Sequence, residues 1–260
     1  CHSMHGSDPD DQLKPNMRTN LACLQCHQQF EEDISAHTHH VTGSSGSECV
    51  NCHMPYSSFA LLRGIRSHRI DSPKVVPFAE NARLNACNLC HLDQTQQWTA
   101  STLKAWFGTE ESVLSDEDRT VAASLVWLLK GDGGQRVLSG WHFGWPTARH
   151  ASGTEWMRPF LAVLLQDPYS AVRYSAWKAL GQHQFLATDV FQEIREVLFE
   201  DPDGLRDRIS EELLQNWVQE MSGKLQSELH TLPGGADGFS ESAMRAMLQQ
   251  RNDRPMVVVE

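Results

Sequence analysis

Apolar and polar positions divide this chain into two kinds of text. From Asp93 onward apolar residues recur at three- and four-residue spacing, in phrases cut by Gly, Pro and Asp. That is the period of a helix with one buried face. The spacing predicts helices over Gln94–Phe107, Asp116–Leu129, Thr154–Leu165, Ser170–Leu180, Asp189–Phe199 and Gly204–Met221. Residues 232–238 read as a turn-rich linker, Glu241–Gln250 as a last short helix and Arg254–Glu260 as an extended strap. The first ninety or so residues are poor in long apolar runs, so their side chains alone supply little core. No stretch reaches the roughly eighteen apolar residues of a membrane span. Val121–Leu129 is too short and contains Ser124.

The predicted helices fall in pairs, the signature of an α-solenoid. The segment Asp167-Pro168-Tyr169-Ser170-Ala171-Val172-Arg173, followed by Ala176, Ala179 and Leu180, resembles a HEAT repeat. The resemblance implies that Pro168 opens a helix and that Val172, Ala176 and Leu180 face a neighbouring one. Asp201-Pro202 repeats the punctuation. All eight tryptophans (Trp98, Trp106, Trp127, Trp141, Trp145, Trp156, Trp177 and Trp217) lie in this half. Their periodic placement assigns them to the packing between helices rather than to an interface.

The first part carries the chemistry. It contains three copies of Cys-x-x-Cys-His: Cys23 to His27, Cys49 to His53, and Cys87 to His91. Cys1-His2 reads as the end of a fourth. The motif is the attachment signature of c-type haem: two thiols add to the porphyrin edge, and the histidine binds the iron from below. Cys1, Cys23, Cys26, Cys49, Cys52, Cys87 and Cys90 are all used in this way. The competing reading is structural zinc on paired cysteines. Six paired cysteines would fill one and a half such sites, and zinc gives no reason for a histidine after each pair. Disulfides fit no better, because bridges within Cys-x-x-Cys are usually redox-active. For Cys1 alone the rival is a lipidated amino terminus, which the adjacent His2 disfavours.

Nine of the 13 histidines lie in residues 1–92. With His2, His27, His53 and His91 as proximal ligands, His5, His37, His39, His40 and His68 remain for the opposite faces. His37, His40 and His68 are the favoured distal ligands, with His5 next and His39 the spare. Methionine is the other common axial ligand, but Met4 and Met54 lie too close to a proximal histidine to cross their own haem. Met17 sits on a loop without a supporting pattern. Bis-histidine irons with low potentials follow. His142, His150, His183 and His230 read as ordinary surface or core residues.

In its motifs and their order the chain resembles the pentahaem cytochrome c nitrite reductase superfamily. The resemblance covers roughly residues 1–100 and rests on three features: Cys49-Val50-Asn51-Cys52-His53-Met54-Pro55, then Ser67-His68-Arg69-Ile70, then Cys87 to His91, with His40 upstream in a comparable place. It is closer still to members of that superfamily with a helical-repeat tail. Two family features are missing. There is no Cys-x-x-Cys-Lys motif, and the position three residues after His27, where the family has a catalytic tyrosine, is Phe30. Nitrite reduction by this chain alone is therefore not expected.

The expected fold is mainly α. A haem-packed, loop-rich multihaem cytochrome c region over 1–92 is followed by a HEAT-like helical domain over 93–230, then a linker, short helix and extended tail over 231–260. The net charge is −11, made up of −2 in residues 1–92 and −9 in the remainder. That disfavours nucleic acid and anionic membranes, and it suits a basic partner. The expected function is electron transfer with redox protein partners, within a larger complex or with an upstream haem segment. Because such haems are attached outside the bacterial cytoplasm, a periplasmic or extracellular location is expected, with the signal sequence upstream. The alternatives are a subunit of a multihaem oxidoreductase of nitrite, hydroxylamine or sulfur compounds, and a cytochrome subunit of a larger complex or filament.

Overall fold

The computed structural model describes residues 1–3, 5, 12–78, 84–110, 112–165, 167–183 and 241–253. The helices expected over Asp189–Phe199 and Gly204–Met221, the linker over 232–238, the strap over 254–260, and Met4, Trp217 and His230 lie outside them. The chain is mainly helical and forms two compact units. One is Cys1–Pro55 with Ser67–Pro73; the other is Tyr56–Arg66 with the residues from Lys74 onward. No helix among the described residues is long and apolar enough to cross a membrane.

The first unit holds three short helices: α1 (Leu21–Leu24), α2 (Ile34–Thr38) and α3 (Cys49–His53). Asp33 caps α2 by accepting a hydrogen bond from Ala36 N at 3.0 Å, and His39 ends it in the left-handed conformation. Ile34 is the one buried hydrophobic side chain among this unit's described residues. Among its described residues this unit has little core of its own, as expected at such a size, and another source of apolar surface would be needed.

The second unit begins with an antiparallel hairpin, β1 (Tyr56–Ala60) and β2 (Arg63–Arg66), which the sequence pattern did not reveal. Its turn is made by Leu61 and Leu62, both at positive φ. Helices α4 (Gln96–Phe107), α5 (Asp116–Thr120), α6 (Ala123–Lys130), α7 (Gly133–Gly144), α8 (Pro146–Ser152), α9 (Arg158–Leu164), α10 (Ser170–Gln182) and α11 (Glu241–Gln249) follow. The single helix expected over 116–129 is broken, because Ala122 is extended and bridges to Thr95. Ala123 N then donates to Gln94 O at 3.0 Å. Every residue of α6 from Ala123 to Leu129 is buried, as for a helix packed on all sides.

Helix α7 was not expected at all, since four glycines dilute its helical pattern. A capping box of Asp132 and Gln135 starts it. The glycines at 140 and 144 let it close on its neighbours: a Cβ at Gly144 would fall 3.1 Å from Ala179 Cα in α10. Val172, Ala176 and Leu180 of α10 are fully buried in the resulting core. Trp127, Trp156 and Trp177 are buried as well, while Trp98, Trp141 and Trp145 are half-buried and Trp106 is exposed.

One buried ion pair ties this unit together. Arg136 and Asp167 are each 2% exposed and meet at 2.7 Å, with a second bond from Nη2 at 3.1 Å. Nη1 donates to the carbonyls of Gly131 and Asn252, the latter just after α11.

Candidate haem-binding site

Each Cys-x-x-Cys-His segment is wound into one helical turn. In the first, the carbonyl of Cys23 accepts from Cys26 N and His27 N, both at 3.0 Å. The second is α3 itself. In the third, Cys87 O accepts from Cys90 N at 3.1 Å and His91 N at 2.8 Å. All seven cysteines are free thiols, the state in which they can be joined to a porphyrin. Burial pushes the Cys52 thiol up. Burial first, then the neighbouring Cys23, pushes Cys49 up to about 11.

The histidines of the first unit come together in pairs. The rings of His37 and His53 have centroids 6.2 Å apart and lie 6° from parallel. Those of His2 and His68 are 6.0 Å apart at 30°. Two imidazoles bound to one metal from opposite sides, each through a bond of about 2 Å, would place their ring centres roughly 6 Å apart. Both ring separations are of the size such a ligand pair requires. His53 Nδ1 donates to Asp71 O at 2.9 Å and His40 Nδ1 to Thr38 O at 2.6 Å. A second bond of this kind fixes the tautomer that ligates through Nε2. Burial first, then His53 and His39, hold the His37 pKa below its ordinary value, favouring the neutral form that binds metal.

The other candidates have different ring neighbours. His27 has Phe30 as its ring neighbour at 6.4 Å, and Phe30 in turn lies 4.4 Å from His37. His91 lies 5.0 Å from Trp98 of α4. His40 packs on Gly46, where a Cβ would meet its ring. His39 and His5 are exposed. Cys1 and His2 are pinned by Lys14 N to Cys1 O at 2.9 Å and Ser3 N to Gln12 O at 2.8 Å. Among the described residues no three His, Cys, Asp or Glu side chains converge as a metal cage. Zinc on protein ligands alone would need four, whereas haem iron takes only its axial pair from the chain.

The third motif is held by the second unit in a way its sequence did not reveal. Asn88, inside the motif, is fully buried. Its Nδ2 donates to Gln94 O at 2.8 Å, and its Oδ1 accepts from Thr99 Oγ1 at 2.7 Å and Asn85 Nδ2 at 2.8 Å. Leu89 is buried beside Trp127 and Leu138. Ser152 Oγ donates to Cys90 O at 2.7 Å and accepts from Leu92 N at 2.8 Å. An Asn88→Ala variant would take the acceptor from the buried Asn85 amide and Thr99 hydroxyl, at a cost of about 1–3 kcal/mol. Urea unfolding followed by far-UV circular dichroism should show the lowered midpoint. An unchanged midpoint would mean that the network carries no net stability.

Residues 32–126 match the family model described as cytochrome c552. The match spans the second and third motifs together with His37, His40 and His68. Over that stretch, under half of the chain, the residues are similar to a cytochrome c family, a likeness that supports haem c as cofactor. No curated protein and no solved structure matches the chain.

Proposed function

We propose that this chain is an electron-transfer cytochrome whose haems have two histidine ligands each. The observation that carries the reading is the pair of ring separations, 6.2 Å for His37 with His53 and 6.0 Å for His2 with His68. In this reading His53 and His37 share the iron of the second motif. His2 and His68 share that of the partial motif, leaving His40 and His5 as further candidate ligands. An iron with two imidazoles has no vacant position for a substrate, so electron exchange is its chemistry, at low potential. The haem faces also supply the apolar surface that the first unit lacks. The helical unit serves as a HEAT-like scaffold carrying the third motif. The acidic surface suits basic redox partners, in a periplasmic or extracellular setting and within a larger complex or beside an upstream haem segment.

The mass of the intact denatured chain should show at least three porphyrin additions, and a fourth if the partial motif is filled. Electron paramagnetic resonance of the oxidised protein should show low-spin iron only. His68→Ala should convert one haem to high spin without reducing the porphyrin count. A high-spin haem that binds nitrite in the unmodified protein would replace this reading with that of an oxidoreductase.

A further inference from the structure

The turn of the β1–β2 hairpin is built against its own local preferences. Ala60 pairs with Arg63, so the loop is the two residues Leu61 and Leu62, at φ 51° and 57°. A two-residue turn with both φ values positive favours Asn-Gly, and each leucine held there is strained. The same side chains are left in solvent, Leu61 82% exposed and Leu62 48%. Strain together with exposed apolar surface is a combination that folding alone does not explain. The base of the hairpin is firm. Gly64 is buried where a Cβ would fall 2.9 Å from the Trp141 ring, and Tyr56 lies 4.8 Å from the same ring. Residues 56–66 carry Arg63 and Arg66 and no acidic side chain, in a chain of net charge −11. Arg66 is engaged over the Tyr56 ring at 4.1 Å, while Arg63, beside the tip, is exposed.

The same unit carries a surface of the opposite character. Trp106 and Phe107 end α4 and are both exposed, their rings set edge to face at 6.2 Å and 89°. Gly108, in the left-handed conformation, stops the helix there, and its N–H bonds Lys104 O at 2.9 Å. In the connection to α5, Glu110 and Val113 are exposed, and Asp116 opens α5 with its side chain almost wholly in solvent. Residues 108–118 include five acidic side chains and no basic one. Exposed aromatic side chains are what binding hot spots are enriched in.

We propose that these two surfaces are partners: the hairpin tip of one copy of this chain docks on the α4 end of a second copy. Leu61 and Leu62 pack against Trp106 and Phe107, and Arg63 faces the acidic connection. A second copy is the occupant because the match is twofold, apolar to apolar and basic to acidic. Two molecules of like net charge repel at a distance, and the basic tip is what lets them meet. The contact joins two different patches, so it is heterologous. Built on one hairpin tip, it falls below about 1,200 Å² in all and is weak and transient, and salt screens its charged part. Both surfaces lie in the helical unit, so the docking is independent of how the irons are ligated.

Sedimentation velocity of the purified holoprotein at low salt should show reversible self-association as its concentration rises, fading at high salt. Leu61→Ser with Leu62→Ser, and separately Trp106→Ser with Phe107→Ser, should each leave a monomer with unchanged porphyrin count and helix content. An equimolar mixture of the two variants should form a one-to-one dimer, since each keeps the surface that the other has lost. Arg63→Glu keeps the apolar tip and should weaken association as well, which carries the test if a double variant does not fold. A wild-type protein that stays monomeric throughout would overturn the proposal, as would association unchanged in the variants or a mixture that remains monomeric. If a monomeric wild type instead sediments with phosphatidylglycerol vesicles and the hairpin variant does not, the tip is a lipid anchor and the proposal fails.

Discussion

Replacing Asp167 by alanine is expected to destabilise the helical unit by about 3–5 kcal/mol. The side chain is 2% exposed and bonds twice to a guanidinium that is equally buried. Without it Arg136 keeps the carbonyls of Gly131 and Asn252 and the more exposed carboxylate of Asp253 at 3.3 Å. Its charge would then be left in a low-dielectric core with partners that neutralise it only in part. Removing the pair together, as Arg136→Met with Asp167→Leu, should restore much of the loss, because neither charge is then stranded. Chemical unfolding followed by far-UV circular dichroism measures both variants. A shift below about 1 kcal/mol for Asp167→Ala would place this pair with surface salt bridges and contradict its burial.

Acid should weaken the same unit well before its carboxylates titrate. His142 is fully buried, with Nδ1 donating to Leu138 O at 2.7 Å. Its Nε2 has no hydrogen-bond partner among the described residues. The rings of Tyr56, Trp141 and Trp145 surround it. Burial is the main cause that pushes its pKa down to about 4; the Arg66 charge adds to this, and the Leu138 bond opposes it. The ordinary value is 6.5, so between 6.5 and about 4 the unfolded chain binds the proton and the folded one does not. Stability is therefore fully present above that window and falls as the pH drops through it, by roughly 3 kcal/mol in all. His183, lowered mainly by burial, contributes with the same sign. Urea midpoints compared between pH 7.5 and pH 4.5 should show the slope, and His142→Phe should reduce it. An equal slope in that variant would assign the acid sensitivity to other groups.

The candidate haem-binding residues were legible because their chemistry is local. Two thiols and an imidazole must sit within one turn of chain, so the pattern over Cys23–His27, Cys49–His53 and Cys87–His91 announces itself without a fold. Helices α4 and α10 were legible for a related reason, since one apolar face repeats at their period. Asn20 and Asn88 were not. An asparagine is an ordinary loop residue until its partners are known, and those of Asn20 lie at Ser47 and Cys49. The histidine cluster announced a supply of ligands but not their pairing, because His2 and His68 meet only through the path of the chain between them.

Helix α7 shows the same limit in the fold. Its glycines weaken any helical reading, yet against α10 they are what permits close approach. The break between α5 and α6 was equally hidden, since Ala122 leaves the helix to pair with Thr95, far away in sequence. Sequence by itself determined the candidate attachment motifs, the wealth of axial candidates and the mainly helical class, all of which depend on residues within a few positions of one another. Tertiary structure alone decided which rings face each other, which asparagines hold the motifs, and where helices start, break and touch. Those choices depend on contacts between distant segments, and there packing outweighs local propensity.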